Sequence, residues 1–203
     1  MVLKSVTPTC SPQVINSYVI SAQGGAPMAM YPEGNSQFDA NWSPDGKQIA
    51  YGRNALMSQR PETLDIRLLD IASKQVSALP GSQNLYAPRW SPDGKRIVAV
   101  SADNSRLVLY DFKTQKWSDW ITGLGHIGTP MWSRDQKYLY FDNINGEHPG
   151  YRRVKLGESR SELLVDLKDL HRSWWSSIAL DNSPIFSRDI STDEIYALDL
   201  ELP

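Results

Sequence analysis

Three aspartates, Asp45, Asp93 and Asp135, occupy one position of a repeated sentence: "WSPDGK" from Trp42, the same six residues from Trp90, and a worn "WSRDQK" from Trp132. Two carboxylates brought to one substrate could work as general acid and base. The repeat argues against it, because symmetric turn residues fall in separate units. The other candidates are thinner. His126, His148 and His171 are the only histidines and lie in three different loops without near ligands. Cys10 is the single cysteine, which excludes an internal disulfide and a thiolate zinc cluster. "DNINGE" from Asp142 places its glycine one position too early for a calcium loop and reads as a hairpin turn around Asn145-Gly146. There is no G-x-S-x-G elbow, P-loop or H-E-x-x-H. The residues therefore point to no catalytic group, no metal and no cofactor.

What positions these residues is the repeat itself. Trp42, Trp90 and Trp132 recur at intervals of about 40 to 50 residues, the period of sheets arranged around an axis. After each comes a tight turn and an apolar run: "QIAYGR", "RIVAVS", "YLYFDN". A third strand follows, within "LDIRLLDIASK" (64–74), "SRLVLYDFKTQK" (105–116) and "GYRRVKLGESR" (150–160), and then a fourth, as in "QVSALP" and "ELLVDL". In the turn, Pro44 and Pro92 preset φ, the aspartates can accept bonds from nearby backbone N–H groups, and Gly46 and Gly94 supply the left-handed conformation. Alternate residues of each run form an apolar face, and each tryptophan offers a flat surface to the next sheet. Trp42, Asp45, Gly46, Trp90, Asp93, Gly94, Trp132 and Asp135 are thus read as structural, with the three tryptophans buried between sheets. Trp117, Trp120, Trp174 and Trp175 stand outside the repeat and are expected at the surface.

The ends are irregular. "NSYVISAQGGAPMAMYPEG" (16–34) reads as strands three and four of a unit whose first two strands are not evident. "WWSSIALDNSPIFSRD" reads as two strands around an Asp181-Asn182 turn, and "DEIYALDLEL" as a third. Only "DLKDLHRSW" has a trace of helical period. The expected fold is all-β: a β-propeller fragment of about four blades of four-stranded antiparallel sheets, forming an open arc of a larger propeller. Residues 1–203 make one partial domain, with units at 14–34 (half a blade), 38–80, 86–122, 128–167 and 174–203 (incomplete).

Composition sets the outer bounds. With 203 residues, 40% hydrophobic and 22% charged, the chain can bury a core. Its 21 basic and 23 acidic residues are interspersed, with no basic stripe, which excludes nucleic acid as a partner. No stretch has the length of a signal peptide's apolar region or of a bilayer span. As written the chain reads as cytoplasmic, and an extracytoplasmic place within a longer parent stays open.

The "WSPDGK" turn followed by strands such as "RLLDI" and "LVLYDF" resembles the WD-type repeats of TolB-like β-propeller proteins. More narrowly, the run from "YVISAQGGAP" to "RDISTDEIYALDLELP" is similar to the C-terminal propeller of bacterial multidomain regulators. Those carry an N-terminal serine/threonine kinase or winged-helix domain. The resemblance implies a non-catalytic sensor or regulatory module that binds a protein, peptide or small ligand at a face of the ring.

Inner strands of such a ring begin near its axis. Asp39, Asn41, Arg89 and Met131, just before the tryptophans, are therefore the candidate binding residues. Uncovered blade edges add a route to self-association. Two other readings stay open: a propeller hydrolase or lyase with its site at the channel mouth, and a truncated chain without independent function.

Overall fold

The computed structural model describes residues 2–6, 16–30, 37–52, 64–145, 148–168 and 176–186, and all regular structure among them is strand. The first sheet holds β1 (Val2–Val6), β2 (Asn16–Ile20) and β3 (Met28–Ala29). Three four-stranded antiparallel sheets follow. They are β4 (Phe38–Trp42), β5 (Gln48–Gly52), β6 (Ile66–Asp70), β7 (Val76–Ala78); β8 (Leu85–Trp90), β9 (Arg96–Ser101), β10 (Arg106–Asp111), β11 (Lys116–Thr122); and β12 (His126–Trp132), β13 (Tyr138–Asn145), β14 (Gly150–Lys155), β15 (Ser161–Asp166). A hairpin of β16 (Ser176–Ile178) and β17 (Pro184–Phe186) comes last. Each sheet pairs its strands in chain order. The first strands β4, β8, β12 and β16 contact one another in succession, the inner strands of a propeller. Of the stretch 166–174, expected to hold a helical turn, Asp166 ends β15, Leu167 and Lys168 are not helical and 169–174 lie outside the described residues, as does the third strand "DEIYALDLEL".

The repeated turn is a hydrogen-bonded device that closes on itself. Ser91 Oγ donates to Asp93 Oδ1 (2.6 Å) and accepts from the Arg96 amide (2.9 Å), while Asp93 Oδ1 also takes the Lys95 amide (3.0 Å). Ser43 with Asp45, and Ser133 with Asp135, reproduce the set. The serines are buried, so each side chain both satisfies itself and pins the hairpin. Gly46 and Gly94 take φ of 70°. In the worn repeat Gln136 stands there at φ 61°, which an L-residue adopts only at a cost. The same device recurs outside the tryptophan repeat: Ser101 and Asp103 build the β9–β10 turn, with Asn104 at φ 59°.

The apolar runs behave differently from a sheet with one wet face. Along β9, Ile97 and Ala99 join a cluster with Ala50, Ile66 and Leu68 of the preceding sheet, whereas Val98 and Val100 join Leu139, Phe141 and Val154 of the following one. Strand β13 repeats this: Leu139 and Phe141 face back, and Tyr140 faces on toward Tyr151 and Phe186. Both faces are covered, so the runs are continuously apolar. Trp90 and Trp132, 9% and 8% exposed, fill two of these interfaces, and Trp90 stacks on Phe112 at 4.8 Å. Trp42 is only partly buried, against Val19 and Met30.

Trp117 and Trp120 correct the expectation that they would lie free at the surface. Both are half-buried and bridge sheets: the Trp117 indole N–H donates to the Pro80 carbonyl (2.9 Å) and that of Trp120 to the Glu158 carbonyl (2.8 Å). Trp120 also packs on Trp132. Trp174 and Trp175 lie outside the described residues, as do Cys10 and His171.

The first sheet also differs from its sequence reading, because β1 pairs with β2 from Val2↔Ile20 to Val6↔Asn16. Strand β2 occupies the third-strand place. The Met30 amide donates to Ser17 O as Leu79 does to Ile66 O, and the Ser17 amide donates to Gln37 Oε1 as Ile66 does to Ser82 Oγ. The turn after β2, with the Gln23 amide on Ser21 Oγ, mirrors the Asp70 turn after β6. Strand β1 is therefore a second strand, equivalent to β5.

The turn aspartates make stability depend on acid. The Ser43 hydroxyl and then the Lys47 amide hold Asp45 below the usual carboxylate range, and Ser133 with the Lys137 amide do the same for Asp135. Partial burial opposes the shift at Asp93, but Ser91 and the Lys95 amide still lower it. The Ser101 hydroxyl and the Ser105 amide bring Asp103 to about 2. A depressed carboxylate stabilises the fold above its ordinary value of 3.8 and loses that contribution as pH falls through the folded value. We predict a fall in Tm between about pH 4 and about pH 2. A variant carrying S43A, S91A and S133A should show a lower Tm at neutral pH and a shallower decline in acid; an unchanged acid slope would contradict the role of these turns.

Candidate functional site

The site is built where the inner strands begin. Each inner strand carries an irregularity at the same repeat position: between Phe38 and Asn41 in β4, Tyr86 and Arg89 in β8, and Gly128 and Met131 in β12. At the first two the backbone turns left-handed, with φ of 53° at Asp39 and 50° at Ala87. Such bulges bend a strand and re-aim its side chains.

Three of the four candidate residues meet there. The Arg89 guanidinium donates to Asp39 Oδ1 at 3.1 Å, to the Asp39 carbonyl at 3.3 Å and to the Pro88 carbonyl at 2.9 Å. Both side chains are largely buried, 14% and 16% exposed, so the pair forms away from bulk screening. Asn41 is committed to the frame, its Oδ1 accepting the Trp90 amide at 2.7 Å. The next interval is closed from the other side, with the Trp132 indole N–H donating to the Arg89 carbonyl at 3.2 Å. Met131 is half-buried and pairs with Tyr140 across the ladder. Asp39, Asn41 and Arg89 thus tie β4 to β8.

Around them stands a polar group that the sequence reading missed. Tyr86 O–H donates to Asn104 Oδ1, and Asn104 Nδ2 lies 2.9 Å from His126 Nε2. The Asn104 carbonyl takes the Ile127 amide at 2.8 Å, so one turn residue links β8 and β12. Burial, then the charges of Asp39 and Asp142, push the Tyr86 hydroxyl up to about 12, which keeps it a neutral donor. Asp142 is buried and accepts from Ser176 Oγ, which ties β16 to β13. Opposite Asp142, Gly128 leaves no room for a side chain, since a Cβ there would meet Asp142 Oδ1 at 2.7 Å. The signal for Asn104 was present in "SADNS", a second copy of the Ser-x-Asp turn. Nothing in the sequence marked Tyr86 or Ser176, and Asp142 stood out only as the first residue of "DNINGE".

The repeat aspartates are not members of this group. Asp45, Asp93 and Asp135 hold the turns at the opposite end of the inner strands. His126 meets Asn104, whereas His148 contributes its carbonyl to Asn143 and Arg152. Among the described residues, no three His, Cys, Asp or Glu side chains are grouped so as to hold a metal ion. What the arrangement can do is present a rigid polar surface.

A double-mutant cycle tests the rigidity. D39N and R89M should each destabilise the chain by about 2 kcal/mol in urea unfolding, since each leaves a mostly buried charge unpaired. Their coupling should be about 1 to 2 kcal/mol. Additive effects would mean that the pair is not formed in solution.

No family model matches the chain, and no curated protein does. Solved structures give the fold. TolB from Acinetobacter baumannii superposes with a TM-score of 0.67 at 18% identity, over 88% of this chain and 44% of that one. A chain of the nidogen/laminin complex gives 0.69 at 11% identity, over 92% and 69%. The propeller domain of the Trilobed protease from Pyrococcus furiosus, described as having an open velcro topology, gives 0.53 at 13%, over 80% and 53%. The chain therefore spans less than half the length of the TolB structure it matches. Within that span its fold is a β-propeller, the fold it shares with TolB.

Proposed function

We propose that this chain is a non-catalytic protein-binding module, working within a sensor or regulatory propeller, and that its contact surface is the axial end formed by the starts of the inner strands. The observation that carries the proposal is the cross-linking of that end. Asp39, Arg89, Tyr86, Asn104 and His126 connect successive inner strands, so a partner meets an ordered surface with little conformational entropy to lose. Loop-borne polar groups on a rigid scaffold are a common way to build recognition. A propeller of the same fold occurs in the nidogen/laminin complex, which supports a protein as the class of partner. The opposite end is occupied by self-satisfied turns whose carboxylates are already spent on their own backbone.

Site-specific photo-crosslinking in the cells that make the protein separates the two ends. A benzophenone side chain in place of exposed His126 should give a discrete protein adduct, whereas one in place of exposed Lys137, at the far end of the same sheet, should give none. Adducts only from position 137, or equally from both, would sink the assignment of the binding end.

A further inference from the structure

At the axial end the Asn104 amide bonds in two directions at once. Its Oδ1 accepts from the Tyr86 hydroxyl, and its Nδ2 lies 2.9 Å from His126 Nε2 and 3.4 Å from Nδ1. An amide nitrogen only donates, so Nε2 must carry a lone pair and the neutral imidazole must hold its hydrogen on Nδ1. The donors therefore run one way, from Tyr86 through Asn104 to His126. A proton added to Nε2 sets two donors face to face. Turning the amide over resolves the conflict: Oδ1 then accepts from the imidazolium and Nδ2 donates to the Tyr86 oxygen. Tyr86 can take either part, since burial above all pushes its hydroxyl up to about 12 and keeps it neutral.

We propose that His126 is a proton-operated switch of the axial end: on gaining a proton it turns over the Asn104 amide and reverses the hydrogen-bond chain that starts at Tyr86. The end then presents a positive charge and a different set of donors. That this regulates a partner rests on the binding-end reading above; the switch itself does not. His126 is exposed and open to solvent protons. The strands stay tied meanwhile, because the Ile127 amide donates to the Asn104 carbonyl at 2.8 Å whichever way the side chain points. Strand β12 packs against β8, β9, β13 and β16. Their titratable or charged groups are Tyr86 and Arg89 of β8, Arg96 of β9, and Tyr138, Tyr140 and Asp142 of β13, with Asp103 in the β9–β10 turn. Arg89 is paired with Asp39, Asp142 accepts from Ser176, and the Ser101 hydroxyl and Ser105 amide hold Asp103 at about 2. Imidazole is the side chain that ordinarily changes charge between pH 5 and 8. His148, the other described histidine, enters through its carbonyl rather than its ring.

The test is an NMR titration of the full 15N-labelled chain from pH 8 to pH 5, without any partner. At pH 8 the His126 ring nitrogens should show hydrogen on Nδ1 and a bare Nε2. The Asn104 side-chain amide and the Tyr86 ring signals should then move with the same midpoint as His126, while the Ile127 amide stays protected. In H126F, which removes the ring nitrogens at an exposed position, the Asn104 and Tyr86 signals should be flat over this range. Three results would overturn the proposal: hydrogen on Nε2 at pH 8, an Asn104 amide that ignores the titration of His126, or an Asn104 response that persists in H126F. The first two are read on the unaltered chain and do not depend on the variant folding. Each would leave the assignment of the binding end standing, since cross-linking from position 126 tests that separately.

Discussion

Everything in this molecule depends on its complete four-stranded sheets being sandwiched. A strand points successive side chains to opposite faces, so a run such as Arg96–Ser101 with Ile97, Val98, Ala99 and Val100 all inaccessible can exist only between two neighbours. One neighbour would leave half of these residues in water. The requirement propagates from sheet to sheet and sets the positions of the aromatic residues. Trp90 with Phe112, and Trp132 with Trp120, are wedges between adjacent sheets. Trp117 and Trp120 add directed bonds at the outer edge, so successive sheets are held near the axis and at the rim.

The axial surface is a consequence of that stacking. Sheets packed face to face around an axis bring their first strands together, and the bulges at Asp39 and Ala87 turn side chains into the narrowing space. A lone arginine there would be expensive to bury; Asp39 makes Arg89 tolerable, and the pair fixes the spacing of two sheets. Asn104 ties the next pair of sheets in a similar way. The proposed contact surface and the bonds that tie the inner strands together share residues at this end, whereas the Ser-x-Asp turns at the other end pin hairpins.

The strand order, the turn chemistry and the interfacial place of Trp90 and Trp132 could be read from the sequence because local rules determine them. Proline, aspartate and glycine at fixed offsets specify a turn wherever they occur, and the worn turn at Gln136 keeps its geometry because Ser133 and Asp135 keep the bonds. What escaped depended on partners distant in sequence. Trp117 and Trp120 looked free because their acceptors, the carbonyls of Pro80 and Glu158, are backbone groups in other sheets. The strand Val2–Val6 was missed because a short stretch containing Lys4 has no periodic signal of its own; its pairing with β2 defines it. Of the candidate site, Asp39, Asn41 and Arg89 could be chosen by repeat position. The choice did not reveal that they bond across β4 and β8, nor that Tyr86, Asn104 and Asp142 surround them.

The sandwich itself is tested most directly on one strand, by comparing truncations that point to opposite faces. Ile97 and Val98 are adjacent in β9, wholly buried, and directed at different neighbouring sheets. Ile97→Ala and Val98→Ala should each lower the unfolding free energy by about 2 kcal/mol or more, because each opens a cavity at a closed interface. If Val98→Ala falls within about 0.5 kcal/mol of the unaltered chain, as substitutions at open surfaces do, that face is not covered in solution and the stacked-sheet account is wrong.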